Sequence, residues 1–83
     1  MAAVMRRPLR ETDRHRLGLT DLQINMLKPA SKNRPHASAI INLNPVYIGE
    51  MIPRTNVRLV ALDGLQGIAI EVQGTDERFY VPF

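Results

Sequence analysis

Nearly all of the strand-like sequence in this chain lies after residue 38, and what comes before it is a basic leader with no strand period. Residues 1–38 hold eight of the eleven basic residues (Arg6, Arg7, Arg10, Arg14, Arg16, Lys28, Lys32 and Arg34) against three acids, Glu11, Asp13 and Asp21. Residues 39–83 hold three, Arg54, Arg58 and Arg78, against five acids. Only the second part has the pattern to form a sheet with a buried face. A charged leader joined to a small β module is the plan of a binder more than of a catalyst.

The β part reads as follows. Ala39 to Leu43 is a short strand ended by Asn44-Pro45, and Val46 to Ile52 continues as a second strand or as one irregular turn. Gly49 and Pro53 make that stretch short or place it at an edge. Asn56 to Leu62 is the strongest strand, apolar on both faces except for Arg58. Ile68 to Gln73 alternates, with Ile68, Ile70 and Val72 on one side and Ala69, Glu71 and Gln73 on the other. Glu77 to Pro82 alternates again around Phe79 and Val81. Asp63-Gly64 and Gly74-Thr75-Asp76 are the turns between them. Short connections make neighbouring strands antiparallel. The expected fold is therefore mainly β, an antiparallel meander or open barrel of four to five strands over about residues 39–83.

Its inner face is expected to hold Ile40, Val57, Leu59, Ile68, Ile70, Val72, Phe79 and Val81. Val60 and Leu62 then point to the opposite face, and Phe83 stands bare. These three are read as an apolar interface that wants cover.

Residues 1–18 carry no helical or alternating pattern and read as an extended Arg-rich arm. Residues 19–28 read as a short helix: Thr20 and Gln23 suit a capping box, Leu19 and Ile24 a hydrophobic staple, and Pro29 a stop. Two or three turns do not stand alone in water, so Leu19, Leu22, Ile24 and Met26 are its expected docking residues. The alternation of Leu22, Ile24 and Met26 also fits an extended segment. Residues 29–38, rich in Pro and Ser, read as a linker.

Size and composition bound the rest. Eighty-three residues make a single domain, and the β part alone sits near the length below which small folds need a staple or a partner. There is no cysteine, so there is no disulfide and no thiolate metal site. A 45% hydrophobic content is too high for a wholly disordered chain. No stretch approaches the roughly 20 apolar residues that span a bilayer, and Arg6, Arg7 and Pro8 interrupt anything like a secretory leader. No membrane partner is expected, and the compartment stays open.

Chemistry is sparse. Ser31 and Ser38 fall in the linker and outside any Gly-x-Ser-x-Gly turn. His15 and His36 are 21 residues apart with no metal-ligand spacing. No phosphate-binding glycine loop occurs. No enzyme activity and no cofactor are expected.

The run Ile41-Asn42-Leu43-Asn44-Pro45, followed by Ile48, Val57, Leu59 and Asp63-Gly64, resembles the small β modules of the FlbD and LytTR families. The resemblance covers about 25 residues, implies a meander, and carries no function.

The arm holds the serious candidates. Arg6, Arg7, Arg10, Arg14 and Arg16 present guanidinium forks suited to carboxylates and phosphates. Three readings stay open: pairing with acids of neighbouring protein subunits, contact with nucleic-acid phosphates, or a solvated tail. The scarcity of aromatics counts against a reader of single-stranded nucleic acid. The expected function is a non-enzymatic subunit of a larger, oligomeric assembly, held by the arm and by strand edges. Virus particles use this plan, and a virion component is the expected setting by analogy. A nucleic-acid-associated protein and a small enzyme inhibitor are the alternatives.

Overall fold

The computed structural model describes residues 7–83. Over these residues the protein is mainly β, with seven strands in two sheets and one short helix. In chain order these are β1 (Arg7–Pro8), α1 (Glu11–Leu17), β2 (Ile24–Lys28), β3 (Ser38–Ile41), β4 (Asn44–Tyr47), β5 (Val57–Asp63), β6 (Gly67–Val72) and β7 (Arg78–Pro82). One sheet has the order β1-β7-β6-β5 and the other β2-β3-β4. All pairings are antiparallel except β1 with β7.

The expected meander is present but divided. β5, β6 and β7 form one antiparallel run, while β3 and β4 take β2 as their third strand. The segment after β4 joins the two sheets. Gly49 N–H donates to Leu59 O, Leu59 N–H donates to Glu50 O, and Ile52 N–H donates to Val57 O, at 2.7–2.9 Å. Residues 49–52 thus lie along the β5 edge and make the side of a half-open barrel. The corner is at Gly49, whose φ of 94° is costly for any residue with a Cβ.

A single apolar cluster fills the space between the sheets. It takes Ala39, Ile41 and Val46 from one, and Val57, Leu59, Ile68, Ile70, Val72, Phe79 and Val81 from the other. Leu59, Ile70 and Phe79 stand side by side across three strands and are fully buried. Gly67 at the start of β6 allows the sheet to close there. A Cβ on it would come within 2.1 Å of Val81 O, so the position excludes every other residue.

Two details of the expected core differ. On β3 it is Ile41, not Ile40, that is buried; Ile40 aligns with Met26 and Pro45 on the outward side. Ile40 and Ile41 are adjacent and both apolar, so alternation alone does not say which faces inward; pairing that aligns Ala39 with Leu27 and Val46 puts Ala39 and Ile41 on the core side. Asn44-Pro45 opens β4 instead of ending a strand. On β5 the register shifts between Leu59 and Ala61. This bulge at Val60 resets the alternation, so Leu62 returns to the inner side and packs on the core rather than facing away from it.

The leader departs most from expectation. Residues 7–18 are not an extended arm: after β1 they form α1. Its signals are all electrostatic and conformational. Glu11 and Asp13 lie in the first turn, Arg14, His15 and Arg16 in the last, and Gly18 ends it in the left-handed region at φ 71°. Residues 19–28 are not a helix. Leu19 to Leu22 make a turn closed by Leu22 N–H to Leu19 O at 3.0 Å, and β2 follows. The extended alternative prevailed over the capping box, because β3 offers a strand edge to pair with, although the register breaks between Ile24 and Met26. The linker is shortened at its end, since Ser38 is buried in β3.

Candidate functional site

Of the five arm arginines, Arg6 lies outside the described residues. The other four sit on the β1–α1 segment, and three of them have partners within the molecule. The Arg7 guanidinium stands 5.0 Å from the centroid of the Phe79 ring and 3.6 Å from Glu77 Oε2. Arg16 makes a two-pronged contact with Glu77, both N–O distances being 3.2 Å, and a third contact with Asp13 at 3.3 Å. The Glu77 contact is the main cause that holds the Arg16 guanidinium above its ordinary pKa, with Asp13 next.

Arg14 Nη1 donates to Leu22 O at 3.0 Å and to Leu19 O at 3.3 Å, capping the turn between α1 and β2. Arg10 is exposed at the helix start, where its backbone N–H donates to Asp13 Oδ2 at 3.2 Å. That bond is the main cause that lowers the Asp13 pKa; desolvation pulls the other way, and Arg16 and then Arg7 lower it again. Arg7, Arg14 and Arg16 are thus structural residues of this fold.

The four supposed docking residues separate in the same way. Leu19 and Leu22 are buried in the protein's own core, Ile24 packs against it, and Met26 is exposed. The leader docks, and the surface it docks on belongs to its own chain. Among the supposed apolar interface, Val60 is half-buried at the bulge, Leu62 is part of the core margin, and Phe83 is exposed.

What remains open lies on the three-stranded sheet. Leu27, Ala39 and Val46 align across it and face the core. The opposite side therefore carries Met26, Ile40 and Pro45 in one row, and Lys28, Ser38 and Tyr47 in the next. Met26 and Tyr47 are each 47% exposed, Pro45 is exposed and Ile40 half-buried. Along its other side β2 pairs with no strand among the described residues, which leaves a row of backbone groups facing outward. The outer side of the four-stranded sheet is different in kind. It carries the aligned charges Arg58, Glu71 and Arg78, with Arg78 Nε donating to Glu71 Oε2 at 3.1 Å.

The hairpin between β3 and β4 turns on Asn42 and Leu43, at φ 51° and 67°. Two positive values in succession are the geometry of the tight hairpin turn that twists with its strands. Asparagines tie this tip to β2: Asn42 Oδ1 accepts from Gln23 N–H and Asn25 Oδ1 from Leu43 N–H, each at 2.8 Å. Beside it a cleft of about 170 Å³ opens between the turn after α1 and the turn at Pro53 to Thr55, lined by Asp21, Asn42, Asn44 and Arg54.

Among the described residues no group of three or more His, Asp or Glu side chains is placed to hold a metal ion. No described helix is long and apolar enough to cross a membrane. His15 stands 3.5 Å from Glu11 on the exposed side of α1. No protein-family model matches the chain, and no curated protein or solved structure matches it either. The likeness to the FlbD and LytTR modules stays a likeness of turn chemistry.

The open sheet side is not legible in the sequence. The alternation of Leu22, Ile24 and Met26 suggests an extended segment but places Met26 on the same side as the buried Leu22 and the core-packed Ile24; the irregular register between Ile24 and Met26 is what turns Met26 outward and Leu27 inward.

Proposed function

We propose that this protein is a non-enzymatic subunit of a larger assembly, joined to a protein neighbour through the outer side of the three-stranded sheet and the free edge of β2. The observation that carries the reading is the row Met26–Ile40–Pro45, with Tyr47 beside it, left open to solvent next to an unpaired strand. Apolar side chains and unmet backbone groups in one place are what a neighbour's strand or sheet covers. The contact expected of the arm thus moves to the sheet. With Arg7, Arg14 and Arg16 engaged within the fold, an arm laid on nucleic-acid phosphates loses most of its cations, and so does an arm laid on a neighbour's acids.

Site-specific photo-crosslinking tests this. A crosslinking side chain placed at Met26 or Tyr47 is expected to capture one discrete protein in cells. The same group at Thr12, on the exposed side of α1, is expected to capture none. Equal capture from all three positions would remove the sheet as the interface.

A further inference from the structure

Among the described residues, the densest positive charge without side-chain partners is not on β1 or α1, where only Arg10 is left exposed without one, but at the end of β2 and on the connection from it to β3. Lys28, Lys32, Arg34 and His36 occur there within nine residues, with no acid between them. Lys32, Arg34 and His36 are exposed, and no side chain of the four has a hydrogen-bond or ion-pair partner among the described residues. The connection is shaped rather than slack. Ser31 N–H donates to Arg34 O at 2.7 Å and Arg34 N–H donates back to Ser31 O at 3.2 Å, which sets Lys32 at the tip of a tight turn.

This basic turn stands beside two bare apolar side chains. Pro29, at its base, lies against Gly64, where an added Cβ would meet the proline ring at 3.1 Å. Gly64 belongs to the turn between β5 and β6, whose next residue, Leu65, is 94% exposed. Phe83 N–H donates to Gln66 O at 3.0 Å, so Phe83, 66% exposed, flanks the same turn. Asp63 is the acid of this end, and its Oδ1 accepts from the backbone N–H groups of Leu65 and Gln66. One exposed leucine signifies little. A leucine and a phenylalanine at one end of a half-open barrel, beside two lysines and an arginine, form a surface with a definite complement.

We infer that this end of the protein rests on an anionic membrane surface, with Leu65 and Phe83 entering the headgroup region and Lys28, Lys32 and Arg34 facing lipid phosphates. Apolar burial and attraction to anionic lipid are the two terms that hold a peripheral protein on a bilayer, and neither suffices alone. Phosphates of nucleic acid would satisfy the cations but leave the Leu65 side chain in water, so the pairing favours lipid. This departs from the expectation of no membrane partner, which rested on the lack of a spanning segment and says nothing of a protein lying on the surface. It goes beyond the assembly reading and, apart from Lys28 at the rim of that sheet side, uses other residues, so either can fail alone.

The fold supplies its own control. Leu43, 81% exposed, is at the tip of the β3–β4 hairpin, the end of its sheet away from Lys28. Flotation of the full chain with vesicles of phosphatidylcholine alone, and of phosphatidylcholine mixed with phosphatidylglycerol, reads the contact. Binding is expected to the mixed vesicles and to fall with added salt. Each basic residue near such a surface accounts for about fivefold in partitioning, and the factors multiply, so the double variant Lys32→Glu, Arg34→Glu should lose about 25-fold or more. Leu65→Ser with Phe83→Ser should lose a comparable factor, and Leu43→Ser should bind like the unaltered chain. All of these positions are exposed, and circular dichroism checks that each variant is folded. The inference is overturned by equal retention on both vesicles, by Leu43→Ser weakening binding as much as the Leu65 and Phe83 pair, or by a labelled oligonucleotide binding where the mixed vesicles do not.

Discussion

The β5–β7 meander and the leader from Arg7 up to β2 are both ordered, but by different means. In the meander each buried side chain has like neighbours on the adjoining strands, as in the row Leu59–Ile70–Phe79, and those strands follow one another closely in sequence. The leader has no such repetition. It is pinned at separate points: Leu9, Leu19 and Leu22 are buried singly, and Leu9 N–H donates to Tyr80 O at 2.8 Å. Arg16 reaches Glu77 across 61 positions of sequence. High charge in a segment therefore does not make it a free arm. The sheet places one acid, Glu77, within reach of Arg7 and Arg16 together.

If the leader is as much part of the fold as the meander, truncating a leucine in either should cost the same. Leu59→Ala and Leu19→Ala each remove a side chain that is at most 1% exposed, and each is expected to lose about 2–5 kcal/mol in urea unfolding. A small loss at Leu19 beside a large one at Leu59 would restore the separable arm. Equal losses would make the two regions one cooperative unit.

The same contrast explains what could be read from the sequence. Period-two alternation in Ile68 to Val72 and around Phe79 and Val81 states its own partner rows, so β6 and β7 were legible. The return of Leu62 to the inner side was not, because a bulge has no alternation of its own to announce it. In α1 only Leu17 is apolar. A helix of two turns with one apolar residue shows no periodicity, and its evidence lay in the acids of its first turn, the bases of its last and Gly18. For β2, local capping chemistry and alternation disagreed, and a distant strand decided. The open sheet side was hidden with it. Of the arginines, only the fold could say which meet Glu77 and which meet solvent.

The ionic fastening should be weaker than the apolar one. Glu77→Gln removes the charge that pairs with both Arg7 and Arg16, while keeping size and polarity. Glu77 is 34% exposed and its partners more so, and exposed pairs contribute about 0.2–1 kcal/mol each. The loss is expected to be about 1 kcal/mol at low salt and to shrink as salt is added. Hydrogen exchange should show it first at the Leu9 and Arg14 amides and leave the amides of Leu59 and Ile70 unchanged. A uniform loss of protection would mean that Glu77 supports the meander rather than the leader.

The smallest expected effect is also the one most particular to the leader. Asp13 has its pKa lowered, chiefly because the Arg10 N–H donates to its carboxylate, with Arg16 and Arg7 adding to the effect. The folded chain therefore favours the ionised form. The stabilisation is complete above the pKa the residue has when unfolded, and it is lost as pH falls through the lower folded value. Protonation withdraws the negative charge from the first turn of α1 and weakens the contact with Arg16. Thermal unfolding of the protein and of Asp13→Asn, followed from neutral pH down through the carboxylate range, should show a small deficit for the variant at neutral pH that closes in acid. Were the gap to persist undiminished at low pH, the start of α1 would be held by shape rather than charge. The distinction between a leader fastened at points and a meander fastened by rows would then narrow to a difference in sequence distance.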